Sequence, residues 1–235
     1  MGFRGGEVFT GSFGCGDPNW ATTNSGKKGE GIANAPIGQE GNRAPLANGG
    51  GGSNTGNPGA GGGANGGAGG RGGNEWFGSC ALNVSYGIGG YELDYTAHKA
   101  FLGGGGGGGY RDNGLNATEG ANGGGIVFLI SPLIQGNNSF VNVSGGNVMG
   151  TSDSEGAGGG GAGGCVYLMS NSINSQLDIY LNGGSGGDIF STLWQSACHG
   201  PGGGGGGGAL VLESSNIPAN VSASISGGNS GMVLH

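Results

Sequence analysis

Charge is scarce in this chain. Of 235 residues only 9% are charged, and aromatic residues make up 7%. Disordered chains combine weak hydrophobicity with high charge, and this one does not. Basic residues are also missing from one half. All seven (Arg4, Lys27, Lys28, Arg43, Arg71, Lys99, Arg111) precede residue 112. With a net charge of −7 and no basic cluster, the chain has no electrostatic footprint for nucleic acid. It has none for anionic lipid either. No apolar run reaches the length that crosses a bilayer, so no membrane insertion is expected. No hydrophobic leader follows Met1, which is read as a removed leader, an excised segment, or export within a particle such as a virion. No stretch has helical periodicity or helix capping.

The four cysteines (Cys15, Cys80, Cys165, Cys198) are far apart and none is in a CxxC, which argues against a zinc ribbon. They are disulfide candidates, with three possible pairings; buried free thiols are the alternative. Only three histidines are present (His98, His199, His235), and no HxH or HExxH. Adjacent side chains of an extended segment point apart, so Cys198-His199 cannot form a dyad by itself. Gly183-Gly184-Ser185-Gly186-Gly187 fits G-x-S-x-G, but a nucleophile elbow needs a helix after the serine, and glycine follows instead. Strand carboxylates are sparse (Asp178, Glu213), which ranks a polysaccharide-degrading enzyme last. No catalytic residue is assigned, and the chain is read as not an enzyme.

What the chain has in abundance is glycine, 68 residues. Each glycine in a regular element costs roughly 0.5–1 kcal/mol relative to alanine. Side-chain packing in so glycine-rich a chain cannot offset that, so the glycine segments must form their own hydrogen-bonded structure. The runs Gly103–Gly109 and Gly202–Gly208 are unbroken and are flanked by aromatic residues. Flexible linkers are one reading. Packed left-handed helices of the polyproline-II type, three residues per turn, are the favoured one.

The C-terminal half repeats. Gly123-Gly124-Gly125-Ile126-Val127-Phe128-Leu129, Gly163-Gly164-Cys165-Val166-Tyr167-Leu168 and Gly207-Gly208-Ala209-Leu210-Val211-Leu212 open three units. Their starts are 40 and 44 residues apart (163 − 123 and 207 − 163), a spacing typical of repeat architectures. Each unit reads as strand, turn, strand. The first strand is a continuous apolar run and is expected to be buried on both sides. The second alternates, as in Leu177, Ile179 and Leu181. The fold class is therefore all-β with packed polyglycine segments and little or no helix. The chain is read as a single glycine-rich domain, 1–235, with an irregular half over 1–122 and three repeats over 123–235.

Several stretches carry a resemblance. Gly2-Phe3-Arg4-Gly5-Gly6, Gly26-Lys27-Lys28-Gly29-Glu30-Gly31-Ile32, Asn65 to Asn74, Gly123 to Val127, and His199-Gly200-Pro201 occur in an order similar to that in a glycine-rich domain of large secreted bacterial surface proteins. The likeness covers nearly the whole chain. It implies an extracellular, adhesin-like setting at the cell surface and brings no catalytic residues. By composition the chain also resembles, less closely, the tip adhesin of T-even phage long tail fibres and the glycine-rich ectodomain of anaplastic lymphoma kinase; a virion surface is the alternative location.

Two groups could bind something. Aromatic residues on rigid loops are good ligand platforms. Tyr86, Tyr91, Tyr95 and Trp20 are the candidates, and 86–101 is the least glycine-rich stretch outside the repeats. Trp76 and Trp194 are read as covers for the ends of glycine bundles. Asp153-Ser154-Glu155-Gly156 and Cys15-Gly16-Asp17-Pro18-Asn19 are acidic loops that calcium could use, but neither has EF-hand or RTX spacing. Solvated loops are the favoured reading, with no metal residue and no cofactor assigned. The expected function is an adhesive scaffold, the expected partner a surface glycan, a protein receptor, or a second copy of the chain. A lectin-like or receptor-binding module is the alternative.

Overall fold

A computed structural model describes residues 1–11, 24–54, 56–74, 86–96, 99–111, 116–190, 199–213 and 216–234. Among these there is no helix, and thirteen short strands form small sheets that pair in parallel throughout. The all-β class holds.

The glycine runs are not linkers. Gly103, Gly106 and Gly109 donate their N–H groups to the carbonyls of Gly124, Ala121 and Thr118. Gly104 and Gly107 donate to Ala64 and Gly61, and Gly105 and Gly108 to Glu30 and Lys27. The carbonyls obey the same rule of three. Those of Gly103, Gly106 and Gly109 accept from Phe3, Gly6 and Phe9. Those of Gly104 and Gly107 accept from Ala162 and Gly159, and those of Gly105 and Gly108 from Gly50 and Ser53. A bond direction that recurs every third residue belongs to a helix with three residues per turn. Residues 103–109 thus sit in a lattice site with six neighbours, three taking N–H bonds and three giving them.

Segments 59–65 and 157–164 are surrounded in the same way, and these three central segments bond to one another. Together with the outer segments they fill four rows. The first holds 143–148, 181–187 and 225–231; the second 118–124, 157–164 and 200–208. The third holds 2–9, 103–109, 59–65 and 67–73; the fourth 26–30, 48–53 and 87–93. Both halves of the sequence contribute to this lattice.

Glycine is required because the backbones nearly touch. A Cβ placed on Gly106 would lie 2.0 Å from the carbonyl oxygen of Gly159. Every amide of the three central segments is paired in return, and each pair adds about 0.5–1.5 kcal/mol net. That is the order of the entropic penalty for one glycine.

The three repeats continue the first two rows. Strands β3 (Ile126–Ile130), β7 (Cys165–Met169) and β11 (Ala209–Leu212) form one parallel sheet in the order β11-β7-β3. Strands β5 (Ser139–Asn142), β9 (Leu177–Tyr180) and β12 (Val221–Ser224) form a second. Val143, Val166, Leu168, Ile173, Leu177, Ile179, Leu181 and Val221 form the apolar core. Shorter strands β4 (Leu133–Gln135) and β8 (Ser172–Asn174) pair at the turns, and β6 (Thr151–Asp153), β10 (Asp188–Phe190) and β13 (Val233–Leu234) form a further stack. Strands β1 (Phe9–Thr10) and β2 (Tyr110–Arg111) pair alone.

Two expectations need correction. The pairs Ile126–Cys165 and Cys165–Ala209 set the offsets at 39 and 44 residues (165 − 126 and 209 − 165). The first unit carries one glycine more before its strand, and counting from Gly123 gave 40. The first strand is also not buried on both sides. Phe128 and Ile130 are each 60% exposed, because β3 has the core on only one face. Its continuous apolar run resembles a fully buried strand, but no described segment covers the outer face at those two residues.

Candidate binding cleft and the tyrosine segment

The lattice ends unevenly on the side of the first repeat. Segments 143–148, 118–124, 2–9 and 26–30 terminate their rows there, each displaced from the next. A cleft of about 1100 Å³ runs along these ends. Charged residues, rare elsewhere, collect in it: Arg4, Glu7, Lys27, Lys28, Glu30, Glu40 and Glu119.

Most of these are already engaged. Arg4 Nε donates to Glu30 Oε1 at 2.8 Å. Its guanidinium holds the Glu30 carboxyl below the usual range, and the carboxylate raises Arg4 in turn. Lys27 lies 3.9 Å from Glu7. Among the described residues Lys28 has no carboxylate partner. Its ammonium donates to the carbonyls of Ala44 at 2.8 Å and Asn42 at 3.3 Å. Burial without a counter-charge brings it down to about 8. Backbone N–H bonds, its own first and then that of Gly38, lower Glu40. Asn122 Oδ1 accepts from the Gly5 N–H at 2.9 Å, and Asn147 Oδ1 from the Ser185 N–H at 2.8 Å. The floor is therefore rigid, polar and close to neutral.

Sequence reasoning did not find this cleft. Its residues lie near positions 4, 28, 40, 119 and 147, and only the lattice brings them together. The one signal was the clustering of the few charges in the first half of the chain.

The tyrosine candidates are not gathered into one site. Residues 87–93 are an outer member of the lattice, bonded to 59–65 and 69–72. The Tyr86 ring faces Arg71, whose Cζ is 5.0 Å from its centroid. Tyr91 is 63% exposed. Tyr95 is half-buried, donates to Asn65 Oδ1 at 2.6 Å and meets Phe101 edge-on at 5.3 Å between centroids. Tyr95 is thus a structural anchor, and Tyr91 alone projects freely. Trp20, Trp76 and Trp194 lie outside the described residues.

Cys165 is a buried free thiol. Burial is the main cause of its raised pKa, and the Tyr95 hydroxyl and the Phe101 backbone act against it. The other disulfide candidates, Cys15, Cys80 and Cys198, lie outside the described residues. Ser185 of the G-x-S-x-G stretch sits within lattice segment 181–187, with strand β10 following. Of the acidic loops, Asp153 accepts from Asn116 Nδ2 at 2.8 Å and Glu155 is fully buried. The other loop, 15–19, lies outside the described residues. Asp178 lies in β9, whereas Glu213 follows the end of β11 and belongs to no strand.

Comparison with protein-family models, with curated proteins and with solved structures finds no match. No described helix is long and apolar enough to cross a membrane.

Proposed function

We propose that this chain is a non-catalytic, extracellular scaffold module of a surface protein, which holds its loops for attachment. The observation that supports this reading is the lattice itself. Three segments have all six lateral positions filled by backbone hydrogen bonds. Such a body has no soft direction, because displacing any segment breaks bonds on several sides. A rigid body carrying polar loops at its ends is what attachment to a surface requires. The resemblance to glycine-rich domains of bacterial surface proteins points the same way.

A lectin-like or receptor-binding role is the second reading. The cleft favours it, since fixed amides and charges facing a concave surface are the means of holding a polar ligand.

A glycan array with the purified protein, with and without EDTA, separates the two. Selective glycan binding that is lost in Asn147→Ala or Glu119→Ala supports the lectin-like reading and displaces the first. A blank array, combined with adhesion of protein-coated beads to cell surfaces, supports the scaffold reading. Turnover of an acidic polysaccharide would overturn both.

A further inference from the structure

The repeat stack is sealed in the middle and open at its ends. Val166 and Ile179 in the second unit are fully buried. Their counterparts Val127, Val141 and Leu210 in the outer units are only partly so. Terminal repeats normally carry a polar cap. Among the described residues none covers the third unit. Ile217, Ile225 and Met232 along its side are 51%, 45% and 62% exposed.

The backbone edge is open as well. Ala209 of β11 donates to Gly164. Bonding alternates along a strand, so Ala209 and Val211 serve β7 and the polar groups of Leu210 and Leu212 face outward. In β12 the carbonyls of Asn220 and Ser224 accept from Leu177 and Leu181, which turns Ala223 outward. Edge strands are usually guarded by charge, proline or a bulge. Strands β11, β12 and β13 (ALVL, VSAS, VL) contain no charge and no proline. No described segment pairs with their outer edges.

The lattice decides how a second copy can approach. On the third-unit side the rows end at 225–231, 200–208, 67–73 and 87–93, alternating by half a step. That face is flat, whereas the opposite one is recessed by the cleft. A copy shifted along the stack would continue both sheets in register. The third row, however, holds four segments while the stack is three deep. Segment 2–9 of the shifted copy would land on 67–73. A copy turned end for end avoids this, because its polyglycine body falls at the opposite end of the strands.

We propose that two copies of this chain form a closed two-fold dimer through the outer edge of the third repeat, with β12, whose row projects half a step beyond that of β11, pairing antiparallel to its own counterpart. The contact is isologous, so it cannot propagate into a fibre. It continues the established interface between repeats and does not depend on the scaffold reading.

Ser222 is exposed and lies on the outward face of β12. Ser222→Lys or Ser222→Glu sets like charges against each other across the two-fold axis without touching the core. Sedimentation equilibrium is expected to give the unsubstituted protein twice its 22.4 kDa chain mass. Each variant alone is expected to fall to the single-chain mass, and an equimolar mixture of the two to regain the double mass. Phe140→Lys, on the opposite edge, is expected to leave the dimer intact. A single-chain mass for the unsubstituted protein up to millimolar concentration would overturn the proposal. So would assembly that grows without limit, or a dimer lost in Phe140→Lys and kept in Ser222→Lys.

Discussion

The Tyr95 hydroxyl donates to Asn65 Oδ1 at 2.6 Å, while Asn65 Nδ2 donates to the Gly163 carbonyl at 2.8 Å. One buried amide thus ties the segment beyond residue 93 to two central members of the lattice. Tyr95→Phe leaves the Asn65 oxygen without this donor. The expected loss is about 1–3 kcal/mol, the range for stranding one neutral acceptor. Denaturant unfolding measures it. The same change removes a neighbour of Cys165. Alkylation of Cys165, located by mass spectrometry, is expected to be faster in the variant. Unchanged stability together with an unchanged labelling rate would show that Tyr95 anchors nothing.

Glycine positions differ sharply in what they tolerate, and this allows a paired test of the lattice. A Cβ on Gly106 would meet the Gly159 carbonyl oxygen at 2.0 Å and its carbon at 2.4 Å. Both are backbone atoms held by bonds on other sides, so neither can yield cheaply. Gly106→Ala is expected to destabilise by about 3 kcal/mol or more, at the upper end for overpacking. On Gly227 the nearest atom to a new Cβ is the Gly205 carbonyl oxygen, at 3.5 Å. Gly227→Ala is expected to be neutral, or to stabilise by about 0.4–1 kcal/mol by restricting the unfolded chain. Melting temperatures of the two variants suffice. Equal effects would mean that the glycine segments are not packed as described.

Much of this architecture was legible in the sequence. Clustered apolar runs bounded by glycine gave the strands, and the recurring pairs Gly124-Gly125, Gly163-Gly164 and Gly207-Gly208 marked where polyglycine hands over to β-strand. The entropic penalty of glycine predicted that the runs must bond laterally. The partners of each run were hidden, because a residue without a side chain carries no sign of its neighbour. That Gly107 donates to Gly61 and accepts from Gly159 follows only from the three-dimensional rows. The cleft was hidden for the same reason. The exposure of Phe128 was obscured differently, since an outward apolar position on an end strand reads like a core position.

Lys28 provides a test by pH. Burial lowers it from an ordinary value of 10.5 to about 8. Between these two values the unfolded chain holds a proton that the folded chain has released. Stability therefore rises with pH across that window, because the unfolded state binds more protons. Below about pH 8 the ammonium is charged in both states, and the folded state bears the full desolvation penalty. Tyr95 acts in the opposite direction near the top of the window, because burial raises its hydroxyl above the ordinary value of 10.0. A comparison with Lys28→Gln cancels that contribution, since both proteins keep Tyr95. The unsubstituted protein is expected to gain stability on the variant steadily from about pH 8 to 10, and to show no relative change from pH 6 to 7. A constant difference across the whole range would mean that Lys28 is fully solvated, and that the carbonyls of Asn42 and Ala44 do not hold it in the cleft wall.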